Sequence, residues 1–447
     1  MTTAEPTEQR GPMRWVDGTM PALQERVLHI PVVGFIGYCV RGVGQVVFMN
    51  SPITGLLILV AAWIYDPWFG FAGTIAVIAS TLAGIALGFD RGAIHAGLYG
   101  FNGVLVGLGL ALFLHPPWDV LVIVWIIVLS ALSSVLMGAL AAVFGGAWGV
   151  PPFTLAFNIT TLLFLVTALN IAFGRLSALV EPALPAVNGP GVSVSLRETA
   201  DASGSTDAMA ILNAIFRGIG QLFFLNSILA GVLIIIGIAF CSRIAAGFAL
   251  VGSIVGMLTG MALGADGMAI YNGLWGFNSF DAALAIAGVF YVLTWRSALS
   301  GVACAAFTAL LFGAIASIFV PWELPALTLP FCFGTLAFVL LKDASKHFTW
   351  VPPAEVVTPE EHRRRARTRP AWSQPSPPRA ANWVCAPTDH GPRATRSSHC
   401  AAAPHGRMIS TPIARPPRPS RPCRARVLSS TAPRRRAILP SPPPPPK

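Results

Sequence analysis

One long stretch of this chain occurs twice. Arg41-Gly-Val-Gly-Gln45-Val-Val-Phe48-Met-Asn50-Ser51 returns as Arg217-Gly-Ile-Gly-Gln221-Leu-Phe-Phe224-Leu-Asn226-Ser227, at a sequence offset of 176. Gly97-Leu-Tyr-Gly-Phe101-Asn102-Gly103 returns as Gly273-Leu-Trp-Gly-Phe277-Asn278-Ser279 at the same offset. Pro152-Phe-Thr154-Leu-Ala-Phe157 returns as Pro325-Ala-Leu-Thr328-Leu-Pro-Phe331, where the offset between the threonines is 174. Three matches in one order and at nearly one spacing mean a duplicated unit. That unit is far longer than the roughly 20–50 residues of a solenoid repeat. In an apolar chain, a long doubled unit points to a transporter or channel with its site between the halves.

The chain is apolar enough for that reading. Hydrophobic residues make up 54% and charged residues 11% of it, where a soluble domain carries about 25% charged residues. Uncharged runs such as 120–143, 153–172 and 302–320 approach the roughly 20 residues that span a bilayer as helix, and 228–240 is a shorter one. The net charge of +11 is misleading: beyond residue 353 there are 18 basic and 4 acidic residues, a balance of +14, which leaves −3 for the body. Basicity confined to a tail gives no reason to assign nucleic-acid binding to the folded part.

The order of elements follows from the runs. Residues 1–27 form an N-terminal cytosolic segment. Residues 28–177 are a first membrane repeat, with apolar stretches near 30–48, 53–65, 70–89, 93–114, 119–146 and 153–174. Residues 178–208 read as a polar linker, and 209–345 as a second repeat with six matching stretches. Residues 346–447, rich in Pro and Arg, read as a disordered tail; sequence of this kind is also what a GC-rich frame yields past a natural stop. Stretches 53–65 and 228–240, at matching places, are too short to span: about 13 residues of helix rise only about 20 Å. A half with five full spans and one partial element begins and ends on opposite sides, so its copy must be inverted. The expected fold is an all-α polytopic membrane protein of two inverted halves, each with about five transmembrane helices and a half-spanning helix. Arg14, Arg26 and the basic tail suggest that both termini are cytoplasmic, in a multi-pass protein of the cell membrane.

Polar residues in hydrocarbon are costly unless satisfied, so those that recur in both repeats are the candidates for function. Arg41 and Arg217, Asn102 and Asn278 either tie helices together or serve the site; Asp90 and Asp266 read as caps. Gln45 and Gln221 suit a pore for a neutral polar solute, because an amide offers both donor and acceptor without charge. Phe48, Phe101, Phe224 and Phe277 recur beside Gln or Asn, and facing rings would make a slot for a flat solute. Thr154 and Thr328, in Pro-flanked segments, could supply hydroxyls. No metal-ligand spacing involves Cys39, Cys241, Cys304, Cys332 or the tail cysteines. No motif for nucleotide binding, zinc hydrolysis or a nucleophile elbow is present, so no enzyme, cofactor or metal is expected.

These residues resemble the urea transporter family over about 28–345. The resemblance rests on Gly-Val-Gly-Gln45-Val-Val-Phe-Met-Asn50, on Gly-Leu-Tyr-Gly-Phe101-Asn-Gly-Val-Leu105-Val-Gly and its counterpart at Phe277, and on Leu324-Pro-Ala-Leu-Thr328-Leu-Pro-Phe331. It implies a homotrimer in membrane lipid, with one pore per subunit conducting urea, or a close amide analogue, passively and without cofactor. By position it implies Gln45 and Gln221 at the pore mouths and Phe101 and Phe277 in aromatic slots with Phe48 and Phe224. Leu105 would narrow the centre, and Thr154 and Thr328 would contribute central hydroxyls. The chain departs from the family pattern twice. Ala156 stands where the motif has a proline, and the position equivalent to Leu105 is Asp281. A carboxylate there would change the electrostatics of the constriction, or turn aside, or mark a solute other than urea. An ion-coupled transporter using Asp281 or Asp90 and Asp266, and a membrane scaffold that recruits a partner through its tail, are the alternatives.

Overall fold

The computed structural model describes residues 18–27, 30–170, 176 and 189–368. The first repeat folds as α2 (Pro31–Gln45), α3 (Pro52–Tyr65), α4 (Pro67–Ala86), α5 (Arg91–His95), α6 (Phe101–Phe113), α7 (Val120–Ala147) and α8 (Leu155–Asn170), preceded by a short α1 (Pro21–Val27). A helix α9 (Val192–Ser203) leads into the second repeat. That repeat runs through α10 (Asp207–Gln221), α11 (Ile228–Cys241), α12 (Arg243–Leu263), α13 (Gly267–Tyr271) and α14 (Phe277–Leu284). A π-helical turn (Ala285–Val289) follows α14, then α15 (Trp295–Phe319), α16 (Leu329–Val339), α17 (Leu341–Ala344) and α18 (Pro359–Thr368). Among the described residues there is no strand, only two isolated bridges.

Matching starts follow from matching sequence. Ser51 accepts a hydrogen bond from Thr54 N ahead of Pro52 at the first position of α3, and Ser227 accepts one from Ala230 N at the start of α11. Asp66 and Ser242 cap α4 and α12 in the same way. A side-chain acceptor at the N-cap satisfies an N–H that the helix cannot. Each unit of the sequence pattern thus becomes one helix, except the fourth.

The fourth stretch of each repeat, 93–114 and 269–292, is broken. Gly97 (φ +79°) ends the α5 turn and Gly273 (φ +77°) ends the α13 turn. A Cβ at Gly97 would collide with the backbone N of Gly42, and one at Gly273 with that of Gly218. Only glycine fits both the left-handed backbone and the close approach. The two doubled motifs therefore touch: within each repeat the Gly-Leu-x-Gly-Phe-Asn segment lies on the Arg-Gly-x-Gly-Gln helix.

Among the described residues, four helical segments are long and apolar enough to cross a membrane: Pro67–Ala86, Val120–Ala147, Arg243–Leu263 and Trp295–Trp322. That is two per repeat where about five were expected, because the remaining elements are broken or shorter. The short helices α3 and α11, 14 residues each, are as short as expected. They pack on each other across the repeats, where Thr54 Oγ1 donates to Gly237 O at 2.7 Å. The surface has membrane character. On α7, Ser130, Ser133 and Ser134 are fully buried while Val120 is 75% and Val143 62% exposed. Hydroxyls inward and aliphatics outward reverse the pattern of a soluble helix and suit a lipid surround. The chain is a multi-pass, all-α membrane protein.

Two regions differ from the sequence expectation. The linker 178–208 contains α9, with Ser195, Thr199 and Ala200 buried. The tail expected to be disordered from 346 is ordered as far as 368. Glu360 accepts from Ser242 Oγ (2.7 Å) and Ile244 N (3.0 Å), at the start of α12. His362, fully buried, bonds Gly288 O through Nδ1 (3.0 Å) and accepts from Val357 N at Nε2 (2.9 Å). Val351 N donates to Phe290 O at 2.9 Å. Composition could not reveal this, because the segment contributes specific partners for a helix start and a π turn rather than an apolar core. Residues 369–447, with Cys385, Cys400 and Cys423, lie outside the described residues.

Candidate functional site

A buried polar knot joins the two repeats. Thr154 Oγ1 and Thr328 Oγ1 are 2.7 Å apart. Asn158 holds both strands of chain: Nδ2 donates to Thr154 O (2.9 Å) and to Thr328 Oγ1 (2.8 Å), and Oδ1 accepts from Thr328 N (3.0 Å). Cys332 Sγ lies 3.2 Å from Thr154 Oγ1 and 3.6 Å from Asn158 Nδ2. All four side chains are buried. The threonines were singled out from the repeats; Asn158 and Cys332 were not. Asn158 and Cys332 stand at the same offset as the two threonines, but their side chains differ, so a search for residues common to both repeats passes over both.

Asn102 and Asn278 set this knot in place. Asn102 Oδ1 accepts from Phe157 N (3.0 Å), and Asn278 Oδ1 accepts from Phe331 N (3.2 Å) while its Nδ2 donates to Leu327 O (3.1 Å). Each thereby satisfies an N–H in the first turn of α8 or α16, as an N-cap would, but from another helix. They are helix ties. So are the arginines. Arg41 Nη1 donates to Thr19 O, Asn50 O and Asn50 Oδ1. Arg217 Nη1 donates to Asn272 Oδ1 at 2.9 Å, and its guanidinium lies 4.6 Å from the Tyr271 ring centre. Asp90 and Asp266 cap α5 and α13.

The glutamines are held alike. Gln45 Nε2 donates to Ala96 O (2.9 Å) and Gln221 Nε2 to Asn272 O (3.0 Å), carbonyls at equivalent positions of the two repeats. A backbone carbonyl can only accept, so one N–H of each amide is committed, and the second N–H and the oxygen are left for other partners.

Phe48 and Phe224 each sit at φ 60°, directly after α2 and α10. A non-glycine residue in this region is uncommon and strained, and such residues cluster at functional sites. Their ring contacts are reciprocal between the repeats. Phe48 lies 5.3 Å from Phe290 and 6.1 Å from Phe331. Phe224 lies 6.1 Å from Phe113 and 6.2 Å from Phe157. Phe331 is the counterpart of Phe157, and Phe290 that of Phe113 once the extra residue of the π turn is counted.

Gln221, Phe224, Phe277 and Thr328 border one cavity of about 600 Å³, together with Trp275, Phe312 and Asp266. Their counterparts Gln45, Phe48, Phe101 and Thr154 do not line it. Phe101 is buried in the first repeat, and Thr154 reaches the second repeat through Thr328 and Cys332. Leu105 and Asp281 are fully buried. Neither carboxyl oxygen of Asp281 has a hydrogen-bond partner among the described residues.

Comparisons with known proteins bear on the same residues. The sequence model described as "UT: Urea transporter" matches residues 36–343. Urea transporter 1 of Ovis aries is 34% identical over 340 residues, covering 74% of this chain and 83% of its own. Urea transporter 1 of Rattus norvegicus is 33% identical over 359 residues, covering 78% and 88%. The matched span contains both repeats, the cavity and the threonine knot, and the chain belongs to the urea transporter family.

Proposed function

We propose that the chain conducts urea passively through a narrow pore between its two repeats. The observation that carries this reading is the Thr154–Thr328 hydroxyl pair at 2.7 Å, one partner from each repeat, with Thr328 bordering a cavity that Gln221, Phe224 and Phe277 also border. Urea is flat and neutral, with N–H groups around its edge. The oxygen ends of Gln45 and Gln221 accept at the mouths, ring faces of Phe48, Phe101, Phe224 and Phe277 sheathe the flat sides, and the threonine hydroxyls replace water at the centre. Leu105 and Asp281 flank the narrowest part. Flux then follows the urea gradient and needs no cofactor.

The reciprocal contacts of Phe48 and Phe224, and the contact of Thr154 with its own counterpart, support two halves related by a two-fold operation. We take its axis to lie in the membrane plane, which makes the halves inverted. Membership of the family supports a homotrimer with a pore in each subunit, in the cell membrane, with both termini cytoplasmic.

Stopped-flow shrinkage of proteoliposomes in a urea gradient tests the reading. The expected result is fast, saturable urea permeation that a protonophore or removal of sodium leaves unchanged. Permeation no faster than through empty liposomes would sink it. Flux that collapses with the proton or sodium gradient would favour ion coupling, the second reading, which the buried and unpartnered Asp281 keeps in view.

A further inference from the structure

Asp281 breaks the symmetry of the candidate pore. The same position in the first repeat is Leu105, and both side chains are fully buried. Asp281 lies one helical turn beyond Phe277 on the same face of α14; Phe277 and Thr328 border the cavity, and Asp281 does not. Its two oxygens have no partner among the described residues. Burying a carboxylate without a positive partner is among the costliest arrangements a protein can hold.

Other polar groups of the site are already partly bonded. Gln45 and Gln221 each spend one N–H on a backbone carbonyl, and the Asn158 nitrogen is bonded to Thr154 O and Thr328 Oγ1. Asp281 offers two acceptors that nothing among the described residues engages. A solute with donors on every edge can meet both at once, whereas urea has a carbonyl that needs a donor in return. The rings of Phe224 and Phe277 at the same cavity attract a cation over their faces.

We propose that Asp281 makes this pathway conductive to a planar cation of the guanidinium type alongside urea. The proposal rests on the pore reading above. Guanidinium has the flat outline of urea, carries donors on every edge, and matches a carboxylate through two parallel N–H bonds. Sodium and other spherical cations lack both the ring-face contact and the paired bonds.

The test uses proteoliposomes of the full chain, with labelled guanidinium, urea and sodium uptake measured side by side under a set potassium diffusion potential. Guanidinium uptake is expected at about tenfold or more above empty liposomes, and it should rise with an inside-negative potential. Asp281→Asn should lower the ratio of guanidinium to urea uptake about tenfold, and Asp281→Glu should restore most of it. Guanidinium uptake at the level of empty liposomes overturns the proposal, whether or not urea passes. If urea passes in that case, the carboxyl serves neutral amides only. An unchanged ratio in Asp281→Asn, or sodium uptake equal to guanidinium uptake, overturns it too. Guanidinium uptake without urea uptake supports the proposal and removes urea from the pore reading.

Discussion

Asn158 and Cys332 occupy the same position in the two repeats, are chemically unlike, and meet at 3.6 Å where the repeats join. The knot that joins the repeats is thus built from a symmetric pair of threonines and an asymmetric pair beside it. Asn158 does most of the bonding, since it alone reaches Thr154 O, Thr328 Oγ1 and Thr328 N. Asn158→Ala leaves Thr328 N buried without its partner, while Thr154 O keeps the backbone N–H of residue 158 and Thr328 Oγ1 keeps Thr154 Oγ1; a buried polar group left unpaired costs about 1–3 kcal/mol. The variant should melt earlier in detergent and lose urea permeation. Asn158→Asp, which keeps the acceptor for Thr328 N but buries a carboxylate and sets its second oxygen against Thr154 O, should destabilise at least as much as Asn158→Ala. Thermal unfolding followed by fluorescence, beside stopped-flow permeation, checks both.

Gly97→Ala and Gly273→Ala should each prevent recovery of folded protein. The backbone at φ +79° and +77° strains any side chain, by about 1–3 kcal/mol, and the new methyl would meet Gly42 or Gly218 backbone. Gly146→Ala, where nothing lies within 4 Å of the added Cβ, is the control. It should be neutral or slightly stabilising, because alanine is the better helix former. Yield of monodisperse protein on size exclusion distinguishes the three.

Gln221→Leu should lower urea permeation about tenfold, the effect of losing about 1.4 kcal/mol from the barrier-crossing state. Gln221 is tied to Asn272 O by a single bond at the edge of the cavity. The variant should therefore unfold within about 1 kcal/mol of wild type. Permeation and melting temperature, measured on one preparation, separate the two effects. Equal loss of both would make Gln221 a structural residue.

Docking of the segment 346–368 should depend on pH through His362. Burial is the largest influence on this imidazole and pushes it below its ordinary value of 6.5; the Gly288 carbonyl opposes the shift, Arg365 adds to it, and Glu361 and Glu360 oppose it. A group buried neutral gives its full stabilisation above the unfolded value. As pH falls below 6.5 the undocked state binds more protons, and the stabilisation is lost toward the lower docked value. Protonation would also place a hydrogen on Nε2, where Val357 N already donates. The protection of amides in residues 349–362, relative to their intrinsic exchange at each pH, should thus be flat above about pH 7 and fall below about pH 6. His362→Gln should remove that pH dependence.

Sequence alone determined that the chain is a duplicated membrane protein, and which polar residues recur. Duplication leaves its mark in pairs, so Gln45 with Gln221, Thr154 with Thr328 and Phe48 with Phe224 were legible. So were the short helices α3 and α11, because their length and capping serines are local properties. The tertiary structure decided what each pair does. Asn102 and Arg41 proved to be ties because their partners, Phe157 N and Thr19 O, come from chain that no local pattern connects to them. Asn158 and Cys332 were invisible because repeat matching finds only what the two copies kept in common. The ordered segment around His362 was invisible because its partners lie on α12 and the π turn. A repeat records the positions at which both halves face the same demand. Where the halves differ, as at Asp281 and Leu105, only the packing of one against the other brings out the consequence.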